Sequence, residues 1–228
     1  MLPTDLAQRH EAIQTALAAA SGGLYAPPQL IAVTKTHPAE DILPLTALGV
    51  TDIGENRVQE IVEKWPEIGK KFRIHQIGRL QTNKVKYIID KVCLIQSLDR
   101  MNLALEIDRQ AQKLGVCMPV LIQVSPAGEE QKGGMPPQAV RDFLQEVRHM
   151  AGLRVKGLMA IMPNTPDEAY LGGLFADMRT LFEQLREEAI DGVAMEELSM
   201  GMSGDYLLAA RHGATMVRVG SALMGARG

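Results

Sequence analysis

Short apolar runs alternate along this chain with longer stretches in which apolar residues return every three or four positions. The first pattern is that of strands buried on both faces, and the second is that of helices with one apolar stripe. Eight strand-like runs are found: LIAVTK (30–35), TDIGEN (51–56), FRIHQIG (72–78), VCLIQSL (92–98), PVLIQV (119–124), RVKGLMAI (154–161), ELSMGM (197–202) and TMVRVG (215–220). Amphipathic stretches such as AEDILPLTALG, RVQEIVEKW, LQTNKVKYIID and DEAYLGGLFADMRTLFEQLREEA separate them. Asp99 and Ser203 stand where helix N-caps are expected, and Gly49, Gly115 and Gly213 where helices stop.

Strict βα alternation requires a parallel sheet, because each helix returns the chain so that the next strand runs in the same direction. Eight such units predict an α/β fold closed into a single (β/α)8 TIM barrel, one domain over residues 1–228. The segment DLAQRHEAIQTALAAA is then an extra N-terminal helix, beside the barrel or across its floor. A doubly wound open sheet would call for a Gly-rich turn after the first strand, where this chain has KTHP.

Composition narrows the partners. With 46% hydrophobic and 22% charged residues the chain is an ordinary globular one, and a net charge of −3 provides no basic field for nucleic acid. The first residues lack a basic segment followed by an apolar block, and no apolar run approaches the ~18 residues of a membrane span. A cytoplasmic chain without a membrane partner is expected. Cys93 and Cys117 sit in apolar segments without metal-ligand spacing, so buried free thiols are expected. The five histidines are scattered, and no metal site is expected.

In a barrel of this kind chemistry collects at the C-terminal ends of the strands. The residues there are Lys35, Glu55 and Asn56, Gly78 and Arg79, Ser97, Ser125, Met162 and Asn164, Ser203, and Gly220 with Ser221. These polar groups are expected to converge on one mouth. The loops after the last two strands form the recurrent phosphate site of such barrels. There Ser203 offers a hydroxyl at a helix start, and Gly220-Ser221 offers backbone amides to the same anion. Arg218 lies two residues before Gly220 on the same strand and shares its face. Lys35 becomes their neighbour when the first strand closes on the eighth.

An ordinary lysine has a pKa of about 10.4 and is a poor nucleophile at neutral pH. Desolvation at an enclosed rim, with Arg218 nearby, is expected to lower it. Such a lysine beside a phosphate site suits a phosphorylated aldehyde, and pyridoxal 5′-phosphate, held as a Schiff base on Lys35, fits the combination. Four residues have purely structural alternatives: Lys35 as a solvated strand-end lysine, Arg218 as an ion-pair partner of Glu55 or Glu197, Gly220 as the pivot of a tight strand-to-helix turn, and Asn56 as the cap of the helix beginning RVQE. His75 reads as a core-facing barrel residue, and QTNK, with Lys84 and Lys86, as a solvated face or a weak anion patch.

The motifs AVTKTHP, GENRVQE, IGRLQTNK, QVSPAGEEQKGG, GLMAI, LSMGMSGDY and VRVGSALMGAR together resemble the pyridoxal phosphate homeostasis proteins, whose barrel is that of the alanine racemase N-terminal domain. The resemblance spans nearly the whole chain. It implies that Lys35 carries the cofactor, that Ser203, Gly220 and Ser221 hold its phosphate, that Arg218 faces the pyridine nitrogen, and that Asn56 lines the same pocket. The sequence departs from the family pattern at Thr34, Arg57, Ile74, Gln76 and Ser125, where serine, tyrosine, two aromatics and asparagine are common.

An arginine at the ring nitrogen discourages ring protonation and weakens the cofactor as an electron sink. Racemases with this barrel add a second base from another domain, and the chain ends at MGARG without one. The reading is therefore a non-catalytic carrier or buffer of the cofactor, working as a monomer, with apo-enzymes as transient partners. The alternatives are a weak amino-acid racemase and a sugar-phosphate isomerase or aldolase.

Overall fold

The computed structural model describes residues 4–225. Eight parallel strands close on themselves in chain order. They are β1 Gln29–Val33, β2 Asp52–Glu55, β3 Arg73–Gln76, β4 Leu94–Leu98, β5 Met118–Val124, β6 Leu153–Ala160, β7 Val193–Ser199 and β8 Met216–Val219. The barrel seam is sound: β8 pairs with β1 through Leu30↔Val217, Ile31↔Arg218 and Ala32↔Val219.

The returning helices are α2 Ala39–Ile42, α3 Val58–Ile68, α4 Met101–Lys113, α5 Val140–Val147, α6 Glu168–Glu187 and α7 Tyr206–Arg211, with α8 Ser221–Met224 after the last strand. Between β3 and β4 the stretch LQTNKVKYIID forms a 3-10 turn over Thr82–Tyr87 in place of the expected α-helix. The N-terminal helix α1, Thr4–Ser21, lies beside the barrel against α7 and α8, where Arg9 Nε donates to Leu223 O at 2.6 Å. No helix among the described residues is long and apolar enough to cross a membrane.

Two apolar layers hold the barrel. A large shell packs the strands' outer faces against the helices, and a smaller plug of Ile31, Leu94, Leu121, Met159 and Met216 fills the axis. Because side chains alternate along a strand, Arg218, two residues on from Met216, points into the same axis one layer nearer the C-terminal mouth. The plug lies beneath a polar chamber and shares the axis with the buried side chains of Gln96 and His75.

Two helix-start expectations change. Asp99 does not cap α4, because its carboxylate is drawn aside to Arg100 Nη1 at 2.5 Å and to Gly134 N at 3.4 Å. Ser203 does not cap α7, which begins three residues later: Asp205 Oδ1 takes the Met202 N–H at 2.5 Å and sets a turn that frees the serine hydroxyl. The glycine stops hold, with Gly49, Gly115 and Gly213 all at positive φ. Cys93 is half-buried and Cys117 is exposed, because Cys117 lies in the turn ahead of β5 and not inside the strand.

Candidate functional site

The C-terminal mouth opens into a cavity of about 560 Å³ whose wall includes Lys35, Asn56, Ser203, Arg218, Gly220 and Ser221. All six residues picked from the sequence therefore meet in one chamber, with Gly78 and Arg79 among its other lining groups. The remaining strand-end groups do not join them. Glu55 is turned outward behind the barrel wall, and the buried Ser97 hydroxyl finds no hydrogen-bond partner among the described residues. Ser125, Met162 and Asn164 are also off the cavity wall.

Lys35 is held from behind. β1 ends at Val33, and the chain leaves it through Thr34, Lys35 and Thr36, the last with φ at 68°, a left-handed conformation disfavoured for a branched side chain. Glu60 Oε2 accepts the Thr36 N–H at 2.6 Å and fixes that turn. Thr34 Oγ1 donates to Glu55 Oε1 at 2.7 Å. Lys64 Nζ then ties the cluster together, donating to Glu55 at 2.8 Å, Glu60 at 3.0 Å and Thr34 O at 3.1 Å. Burial pushes the Glu55 carboxyl above its ordinary range despite the hydrogen bonds from Lys64 and Thr34. Lys35 itself is exposed at the mouth and not enclosed at the rim, because it stands two positions beyond the strand on this loop.

Arg218 is buried, with 3% of its surface exposed. It is not an ion-pair partner of Glu55 or Glu197; Glu55 binds Lys64, and Glu197 accepts from Thr215 at 2.6 Å. Its guanidinium donates to Ser199 Oγ at 2.6 Å and Ala160 O at 2.7 Å. Burial pushes it down to about 10, partly offset by Asp205, so it stays cationic at neutral pH. From Ser199 a buried polar chain runs down the axis, to Gln96 at 2.7 Å, from Gln96 to His75 Nδ1 at 2.9 Å, and from His75 Nε2 to Asp52 at 2.8 Å. Burial alone would lower His75, but Asp52 and Cys93 outweigh it and lift the ring to about 9. His75 is the core residue the sequence suggested, and it is also part of an unforeseen cluster: Asp52, His75 and Cys93 bring three potential metal-ligand atoms within 4.8 Å. Arg73 Nε already stands 3.3 Å from Asp52 there, which makes the cluster an ion-pair network.

The adjoining wall, beyond the ends of β7 and β8, is built by backbone. Gly220 N–H and Ala222 N–H both point to Ser203 Oγ, at 3.1 and 3.4 Å, so hydroxyl and amides gather at one place. A Cβ on Gly220 would stand 3.3 Å from Val33 Cβ and narrow that cradle. The arrangement has the donor set for a tetrahedral oxyanion. Asn56 does not cap α3, whose N-cap is Arg57 with no side-chain hydrogen bond, and it is left free on the cavity wall. Gly78 is obligatory beside it, since a Cβ would lie 2.4 Å from Asn56 O.

Sequence reasoning assigned no role to Lys132, Gln123 or His37, yet all three line the chamber. Lys132 Nζ reaches in from the loop after β5, donating to Met162 O at 3.0 Å and Glu129 at 2.7 Å. That loop carries no periodic signal, so its approach to the mouth is decided by tertiary packing alone.

The profile of the family alanine racemase, N-terminal domain, matches residues 6–228. The pyridoxal phosphate homeostasis protein of Aquifex aeolicus is 42% identical over 200 residues, which is 87% of each chain. PipY of Synechococcus elongatus, in a structure with PLP bound, superposes with a TM-score of 0.85 at 34% identity, covering 96% of this chain and 100% of that one. An alanine racemase from Clostridium difficile shares the fold at 16% identity with a TM-score of 0.72; the match covers 92% of this chain and 55% of the racemase. Two independent likenesses, one of sequence across most of the chain and one of backbone, agree with the chamber that the strand ends build: the chain belongs to the pyridoxal phosphate homeostasis protein family, on the barrel of the alanine racemase N-terminal domain.

Proposed function

We propose that this chain binds pyridoxal 5′-phosphate in the mouth chamber and acts as a non-catalytic carrier in cofactor homeostasis in the cytoplasm, delivering to apo-enzymes as a monomer. The observation that carries the reading is the meeting of an amine, a buried guanidinium and an oxyanion cradle on the wall of one cavity. The names of its relatives and the ligand of PipY support it.

In this reading Ser203, Gly220 and Ser221 hold the phosphate, Arg218 stands toward the pyridine nitrogen, Asn56 lines the wall, and Lys35 is the covalent tether. Bound, the cofactor supplies an aldehyde with which an amine condenses. The residues here do the positioning. The Glu55–Lys64–Glu60 cluster presents Lys35, and the apolar plug packs the axis beneath the chamber. A fixed cation at the ring nitrogen discourages ring protonation, which favours holding the cofactor over using it as an electron sink.

The test is a visible spectrum of the purified protein after incubation with the cofactor. A band absent from Lys35→Ala, together with unchanged chirality of L-alanine over a long incubation, is the expected result. Racemisation that depends on Lys35 would replace the carrier with an enzyme, and binding without any band would remove the covalent tether.

A further inference from the structure

A second opening adjoins the chamber along the rim, over the ends of β2, β3 and β4. It is a cleft of about 690 Å³ whose charged lining consists of Arg57, Arg79, Lys84 and Arg100, with no acidic residue on its wall. The placement is regular. Each of the three consecutive strands is followed within three residues by an arginine, so the three guanidinium groups are set side by side along the rim.

The protein cancels only one of these four charges. Arg100 is paired with Asp99 at 2.5 Å. Arg57, Arg79 and Lys84 make no ion pair or side-chain hydrogen bond among the described residues. Glu60, which acts electrostatically on Arg57, is already taken by the Thr36 N–H and Lys64. Like charges gathered in a concave site repel one another and raise the local potential unless an anion enters. The rest of the wall includes the amides Gln59, Gln81 and Asn102, which can meet hydroxyl or carbonyl groups.

We propose that this cleft is a second anion site, taking a small phosphate-bearing molecule with more than one negative charge. Several cations approaching from different strands suit the many oxygens of phosphoryl groups, where a lone carboxylate would engage one arginine. The volume exceeds what an inorganic phosphate fills, so the ligand has a polar body that the amides read. No aromatic side chain lines the cleft, which favours a phosphorylated sugar or phosphoanhydride over a stacked base. Asn56 and Arg79 belong to both this cleft and the mouth chamber, so a ligand here sits against the wall of the cofactor site. The site itself does not depend on what the chamber holds.

The experiment is calorimetric titration of the full chain with pyrophosphate and, separately, with fructose 1,6-bisphosphate, at about 0.15 M salt and again at higher salt. The comparison variant is R57Q/K84Q, which removes one exposed and one half-exposed charge, neither in an ion pair among the described residues. Saturable one-to-one binding of either probe is expected, weakened by salt and by about tenfold or more in the variant. The variant's melting temperature and its absorption with pyridoxal phosphate should match the parent's. The proposal is overturned if neither probe saturates, if the variant binds as tightly as the parent, or if binding survives in R57Q/K84Q but is lost in Ser203→Asp.

Discussion

The two walls of the mouth chamber are held in place by different means. On the β1 side, Lys35 sits on a loop whose shape is dictated by side chains behind the barrel, with Thr34, Glu55, Glu60 and Lys64 bonded to one another out of sight of the cavity. On the β7 and β8 side, backbone amides and one hydroxyl do the work, and what is needed there is chiefly the absence of a side chain at Gly220. The first wall tolerates change in the cavity but not behind it. The second behaves in the opposite way.

The sharpest way to break this contrast is Gly220→Asp, which puts a carboxylate into the cradle without touching the buried cluster. Like charges brought together cost several kcal/mol, so affinity for pyridoxal phosphate should fall by at least about 100-fold while the melting temperature holds. Affinity within a few-fold of the parent, measured by fluorescence titration, would place the anion elsewhere.

Lys64→Met attacks the other wall from behind. It leaves the Glu55 and Glu60 carboxyls facing each other without their cation, and breaking a buried pair in this way costs about 3 kcal/mol. Chemical denaturation should show that loss, and covalent loading of Lys35 should slow as its loop loosens. Adding Glu55→Gln to the variant should restore much of the stability; failure to do so would mean that the cluster is not the clamp.

Ser203→Ala is a smaller step on the backbone wall. It removes a hydroxyl that gathers two N–H groups, and the cost in cofactor affinity should be about fivefold to tenfold, near one hydrogen bond to a charged group. No change would leave the cradle to the amides alone.

The axis beneath both walls has its own pH signature. His75 is lifted from 6.5 to about 9 in the fold, against burial, by Asp52 and Cys93. A raised histidine stabilises fully below its unfolded value, and that contribution is lost as pH rises through the folded one. Denaturant midpoints should therefore fall between roughly pH 6.5 and 9 in the parent and stay flatter in His75→Gln. A chain in which Gln96 Nε2 donates to Nδ1 requires a neutral ring, and a cationic ring requires Gln96 to turn its oxygen there. Parallel pH profiles for parent and variant would favour the neutral arrangement.

The legible parts of this molecule are those set by local pattern. Alternating periodicity carries the eight strands and the closure; strand-end position brings Lys35, Asn56, Ser203, Gly220 and Ser221 to the chamber, and the shared strand face with Gly220 adds Arg218, because barrel geometry makes position along a strand equivalent to height above the floor. Ser203 lines the chamber, as its place after the seventh strand predicts, but it is not a helix cap: Asp205 sets the turn and the serine hydroxyl accepts from the loop after β8. Lys35 lines the chamber but in a more exposed setting than the sequence predicts, since β1 stops two residues earlier than its run suggests.

The clamp behind Lys35 was missed, although a signal existed. Lys64 shares the buried stripe of α3 with Val58, Ile61 and Ile68, and a charge on an apolar stripe needs a buried partner. The links from Arg218 to Asp52 join residues from β8, β7, β4, β3 and β2, up to 166 positions apart in the chain (218 − 52). No window of local sequence contains that information. The approach of Lys132 is unreadable for the same reason, because it depends on how a long loop folds back.

The central claim is that the amine of Lys35 is the covalent anchor of the chamber. Loading the protein with pyridoxal phosphate, reducing with borohydride and mapping peptides by mass tests it most directly. The account predicts one stable pyridoxyl adduct on the peptide that contains Lys35. An adduct on Lys132 or any other lysine, with Lys35 unmodified, would contradict it.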